Sequence, residues 1–187
     1  VKTVRADVML TYKGFRLRGC LRGRLPENVR VDVAGPFGPV SQVMTREAAW
    51  KASGGSVQEL KPIEARKNLR TLTQSDLGLL CVLASAQEGY QLQALDPIRE
   101  GEREFNGVEI EAQSLGRVKI WIDAQTKLIA KLRYVADGTQ KEYDKIFSDH
   151  ASFGGMTLAR TITDKDPAGP NAIELHAVQV NPELGAE

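Results

Sequence analysis

Residues 15–25 carry two interleaved sets of side chains. Phe15, Leu17, Leu21 and Leu25 alternate with Arg16, Arg18, Arg22 and Arg24. An extended strand sends such sets to opposite faces. Four arginines cannot enter an apolar core without partners. The Arg face, which also holds Cys20, is either a solvated outer face with acidic cross-strand partners or a surface for phosphate. Nucleic acid is the weaker phosphate partner. Base stacking needs aromatics among the basic residues, and Phe15 points the other way.

The same period runs through much of the chain. Val4, Ala6, Val8, Leu10 and Tyr12 alternate with Arg5, Asp7, Met9, Thr11 and Lys13. Strands are also expected at Val29–Val33, Val40–Met44 and Ala48–Ala52, the last followed by a Gly54-Gly55 turn. Later come Val108–Ala112, Val118–Ile122, Ala130–Tyr134, Thr139–Phe147, Met156–Thr163 and Ala172–Val180. Asn106-Gly107 and Asp137-Gly138 read as hairpin turns, because type I′ turns need positive φ at both central residues. The expectation is a mainly β chain (α+β) of about eleven strands. The short links make it antiparallel.

A helical insertion at about 62–88 interrupts this pattern. Residues 62–72 suit a short helix. Ser75 reads as an N-cap with Asp76 in the first turn. Leu77, Leu79, Leu80, Cys81, Val82, Leu83 and Ala84 follow, so the second helix is apolar nearly all round. Such a helix is buried on more than one side, as a plug or lid inside the sheet's curve.

The 187 residues suit one domain, and 42% hydrophobic with 26% charged residues excludes collagen-like and disordered classes. Two cysteines are too few for a disulfide scaffold. No apolar run reaches the roughly 18 residues of a spanning helix. The chain opens at Val1, which implies a trimmed start, so a missing leader says nothing of compartment. Residues 1–75 carry a net charge of +8 and residues 76–187 one of −7.

Catalytic signatures are missing. There is no His-Glu-x-x-His, Cys-x-x-Cys, P-loop, Gly-x-Gly-x-x-Gly or Gly-x-Ser-x-Gly. Asp144, Asp149 and His150 could begin a metal site, but a polar strand end before the Gly154 turn is the stronger reading. Asp164, Asp166 and Asn171 lack the spacing of a calcium loop. No cofactor, metal or enzymatic activity is expected.

Several stretches carry a family resemblance. They are Leu21–Pro26 with Val29–Val33, the loop Ala34-Gly35-Pro36-Phe37-Gly38-Pro39-Val40, and Trp121-Ile122-Asp123-Ala124-Gln125-Thr126-Lys127-Leu128. Phe147-Ser148-Asp149-His150, Gly155–Ala159 and Val180–Leu184 complete the set. In this order they resemble the bacterial lipoprotein-carrier superfamily of LolA, LolB and LppX-like proteins. Ala159 departs from a common proline. The resemblance implies an incomplete antiparallel barrel with helices over an apolar cavity. It also implies that Phe37 is a membrane-contact residue on an exposed loop, the alternative being that Phe37 folds back and caps the barrel edge. Related domains occur as tails of insulinase-type proteases, so a longer envelope protein is admitted.

These readings converge on non-enzymatic transport or acceptance of lipid or lipoprotein acyl chains. The setting is the periplasm or the outer membrane, with an anchor on a removed N-terminus as one variant. The partners are lipid or acylated lipoprotein and a peripheral outer-membrane contact, with no nucleic acid and a monomeric chain. Val8, Leu10, Phe15, Leu17, Leu21, Val31, Ile120 and Leu132 on the sheet are expected to line the cavity with Leu77, Leu80 and Leu83 of the helix. The alternative is a structural or interaction domain whose barrel is filled by its own side chains.

Overall fold

The computed structural model describes residues 3–24, 28–36, 38–45, 47–84, 89–136, 140–166 and 172–181. Thirteen strands alternate in direction through a single sheet. The first six are β1 (Val4–Tyr12), β2 (Phe15–Arg24), β3 (Asn28–Gly35), β4 (Gly38–Thr45), β5 (Ala49–Ser53) and β6 (Ser56–Glu59). Helices α1 (Pro62–Thr73) and α2 (Asp76–Ala84) follow. The remainder is β7 (Tyr90–Glu100), β8 (Arg103–Ala112), β9 (Gly116–Asp123), β10 (Ile129–Val135), β11 (Glu142–Phe153), β12 (Met156–Asp164) and β13 (Ala172–Val180).

Two meanders, β1–β6 and β7–β13, meet where β1 pairs with β13. The free edges are β6 and β7, and the helical insertion runs from one to the other. The sheet is therefore an incomplete barrel. Its curl follows from two contacts of α1. Asn68 donates to Gln42 Oε1 on β4 at 3.3 Å, while Thr73 donates to the carbonyl of Ser114, beyond β8, at 3.0 Å. Five helical residues rise only about 7.5 Å. Nine strand spacings separate β4 from β8, or roughly 43 Å if flat. Only a strongly curved sheet brings both to one short helix.

Register assigns the faces. Across β1, β2 and β3, Ala6 faces Leu21 and Leu21 faces Val31. These residues and their row neighbours look inward to the helices. The inner face packs as two clusters. One joins Val4, Ala6, Leu21, Val29, Met44 and Ala49 to Leu77 and Cys81 of α2. The other joins Ile110, Val118, Ile120, Leu132 and Phe147 to Leu79 and Val82. Helix α2 thus lies in the trough between the two halves, which is why its sequence is apolar on so many sides.

Four readings of the sequence are corrected. Strands β6 and β7 were not expected, which raises the count from eleven to thirteen. Asn106-Gly107 forms no turn. Both lie inside β8, and the β7–β8 turn falls at Gly101-Glu102. Gly107 is there because a Cβ would sit 2.9 Å from the Cβ of Leu95, where β7 bulges. The strand expected to begin at Thr139 is β11, which extends to Phe153. Leu80 is 41% exposed, on the one stripe of α2 that faces away from both clusters. Asp137-Gly138 and Phe37 lie outside the described residues. The N-cap is as read: Gly78 donates its backbone N–H to Ser75 Oγ at 3.0 Å.

Candidate functional site

The inner face and the helices over it form the candidate site. Its apolar rows are built by register. Leu10 stands between Leu17 on β2 and Ile173 on β13. Val8 stands beside Gly19 and Leu175, and Ile120 stands between Val108 and Leu132. Val8, Leu10, Leu17, Leu21, Val31, Ile120 and Leu132 therefore share the inward face. Their cover differs. Leu21, Ile120, Leu132 and Leu77 are buried, whereas Val8, Leu10, Leu17, Val31 and Leu83 are half-buried. Phe15 also points inward, opposite Tyr12, but is 55% exposed beyond the reach of the helices. The expectation of an enclosed position fails for Phe15 and Leu80. Both are apolar side chains left facing solvent, Phe15 at the end of β2 and Leu80 on the outward stripe of α2.

The helical insertion is fastened at its α1–α2 junction. Thr73 Oγ1 and Gln74 Nε2 donate to the carbonyls of Ser114 and Leu115, at 3.0 and 3.3 Å. Asp76 takes the backbone N–H of Leu77 on one oxygen and that of Ala159 on the other. Ala159 has this N–H to offer because β12 pairs with β13 only at Thr161–Thr163 among the described residues. Asp76 patches the split between those strands. Burial raises its pKa, against the pull of the two N–H donors. Gly78 lets the helices close, since a Cβ there would lie 2.6 Å from the Cα of Thr73.

One polar group stands among the inward apolar positions of β11. Tyr143, Lys145 and Phe147 share a phase, and Lys145 is 2% exposed. Its ammonium lies 3.6 Å from Asp164 and 3.4 Å from the carbonyl of Thr71 on α1. Tyr134 donates its hydroxyl to the same carboxylate at 3.0 Å. Burial lowers the pKa of Lys145 and raises that of Tyr134. The sequence signal for this group is a lysine at a core-phase position between two aromatics.

The other polar candidates have separate partners. Asp144 pairs with Arg133 at 2.7 Å, Asp149 accepts from Thr161, and His150 Nε2 lies 3.0 Å from the carbonyl of Ile129. Asp164 serves Lys145 and Tyr134, and Asn171 lies outside the described residues. Asp123 holds its own turn, accepting from the N–H groups of Gln125 and Thr126 and from Arg103. The Thr126 N–H and then Arg103 hold its carboxyl far below the usual range. Both cysteines are free thiols on opposite sides of the sheet, Cys20 on the outer face and Cys81 on α2.

No family model matches this sequence, and no curated protein matches it either. Solved structures do match its fold. A LolA superfamily protein from Nitrosomonas europaea superimposes with a TM-score of 0.63 at 11% identity, over 96% of this chain and 86% of that one. A domain described as an outer membrane lipoprotein-sorting protein, from Vibrio parahaemolyticus, gives 0.59 at 9% identity, over 98% and 87%. A DUF1329 family protein from Desulfovibrio piger gives 0.60 at 10% identity, over 98% and 88%. The fold is thus shared along almost the whole chain, and the chain has the fold of the LolA superfamily.

Proposed function

We propose that this protein binds lipid or lipoprotein acyl chains without catalysing a reaction, as a carrier or acceptor in the bacterial cell envelope. The observation that carries the reading is the inner face itself. It is apolar across both halves of the sheet, is roofed only in part, and keeps apolar surface at its rim. Tyr12, Leu10 and Leu17 are half-buried there and Phe15 is exposed, while Leu80 is an exposed apolar side chain on the helix that roofs this face. Each buried CH₂ contributes about 0.8 kcal/mol, so an acyl chain on this surface gains affinity without any reactive group. The fold shared with a lipoprotein-sorting domain supports the same reading.

A second reading is favoured by the seating of α2. Leu77, Leu79, Cys81 and Val82 are at most 4% exposed and fill the trough themselves. In that case the chain is an interaction domain with a self-filled barrel. Titration with a fluorescent C16 fatty acid, on protein stripped of co-purified lipid, separates the two. Phe15→Asp and Leu80→Asp spare the buried clusters, so both variants should fold. Loss of uptake with unchanged thermal stability supports the carrier. Equal uptake by wild type and both variants, or none by wild type, overturns it.

A further inference from the structure

We propose that the outer face of β1–β6 is a docking surface for an anionic phospholipid bilayer. The register places the residues. Arg5, Arg22, Arg30, Val43 and Trp50 are successive cross-strand partners from β1 to β5, so their side chains leave one face in a single row. The adjoining row runs Asp7, Cys20, Asp32, Ser41, Ala52 and Val57. Arg16, Arg18 and Arg24 share the face by the alternation of β2. Among the described residues both helices lie on the opposite face and no element covers this one.

Its charge is positive and partly unsatisfied. Among the described residues, six arginines stand against Asp7, Asp32, Glu174 and the edge residue Glu59. Asp32 is engaged already, by Arg22 and Arg30 at 3.0 Å each and by Ser41. Arg16 pairs with Glu174 at 3.0 Å. Arg5 and Arg18 make no ion pair among the described residues. Arg18 and Arg30 border a groove of about 770 Å³ that also meets Met9, Pro39 and His176. The basic row continues into apolar side chains facing solvent, Val43 at 38% and Trp50 at 37% exposed, and the adjoining row ends in Val57 at 73%.

Basic residues next to an exposed Trp and aliphatic side chains fit the headgroup boundary of a bilayer. Arginines meet phosphates and the indole sits at headgroup level. Single-stranded nucleic acid fits less well. It requires a series of stacking aromatics, and Trp50 is the one aromatic in these rows, with Tyr12 and Phe15 on the inner face. The proposal is independent of whether the inner face holds acyl chains.

Co-sedimentation of the full chain with vesicles of 30% phosphatidylglycerol in phosphatidylethanolamine tests it, with phosphatidylethanolamine vesicles as the neutral arm. Wild type should bind the anionic vesicles, and binding should fall steeply between 50 and 300 mM salt. Arg5→Glu with Arg18→Glu removes no ion pair among the described residues and should weaken binding by at least about thirtyfold, at unchanged thermal stability. Trp50→Ser with Val57→Ser should weaken it about tenfold while leaving the salt dependence in place. Absence of wild-type binding, binding indifferent to the paired Arg variant, or equal binding to both vesicle types overturns the proposal. So does an oligonucleotide bound as tightly as the anionic vesicles in a manner that Trp50→Ser does not touch.

Discussion

The carboxylate of Asp76 accepts the backbone N–H of Ala159 and so ties the first residue of α2 to the strand where the sheet parts. A side chain performs there what a neighbouring strand does elsewhere in the sheet. Asp76→Ala would leave that N–H buried without a partner and would also remove the acceptor for Leu77 N–H. Two N–H groups left without their acceptor set the sign, at a cost of about 2 kcal/mol. Urea unfolding of wild type and variant checks this.

Two buried aspartates should bend the pH profile in opposite directions. Asp76 has a raised pKa, so its favourable contribution is complete below the unfolded carboxylate value of about 3.9 and declines as pH climbs above it. Asp123 has a depressed pKa, so its contribution is complete above that value and is lost as pH falls below it. The deficit of Asp76→Asn should therefore shrink between pH 3 and pH 7, and that of Asp123→Asn should grow. Denaturant titrations at several pH values over this range would read both slopes.

Gly78→Ala should destabilise. Ala normally favours a helix interior over Gly by about 1 kcal/mol. Here the added methyl would enter the backbone of α1 at Leu72 and Thr73, forcing the helices apart. A cost of about 2–3 kcal/mol is expected. A raised melting temperature would show that the two helices do not pack this closely.

The Lys145–Asp164 pair should behave as a unit. Asp164→Asn leaves the ammonium uncompensated in the core and should cost about 3–4 kcal/mol. Adding Lys145→Met removes that charge, while Asn still accepts from Tyr134 and from the Asp166 N–H. The double variant should recover at least half the loss. A double-mutant cycle in thermal unfolding measures the coupling, and strict additivity would contradict it.

Gly107→Val should cost more than a valine in a strand usually gains. Its side chain would collide with Leu95 and crowd Trp121. Far-UV circular dichroism and thermal melting of the variant would show a loosened β7 edge at lower temperature than in wild type.

The pattern of successes and misses has a physical basis. Strands with one buried face announce themselves by alternation, as Val4–Tyr12 does. Strands β6 and β7 were invisible because edge strands here bury neither face. Every residue of Ser56–Glu59 is exposed, and so are nine of the eleven in Tyr90–Glu100. The turn preference of Asn106-Gly107 lost to the need for a residue without a Cβ opposite Leu95. The inward phase of Leu10, Leu21 and Ile120 was readable locally. Their degree of cover was not, because it depends on where the insertion docks. That is set by Thr73, Gln74 and Asp76 reaching residues 41 to 83 positions away.

Eleven of the twelve strand pairings join neighbours in the chain, and the twelfth is β1 with β13, which sets Val4 against Val180. The hairpins can each form early because they close short loops, but this seam must wait for both meanders. Until it closes, a chain presents two complementary open edges, and so does every other chain at the same stage. Refolding at high concentration therefore pits closure within one molecule against exchange of β1 or β13 between two, and the seam is where swapped dimers of this protein would form.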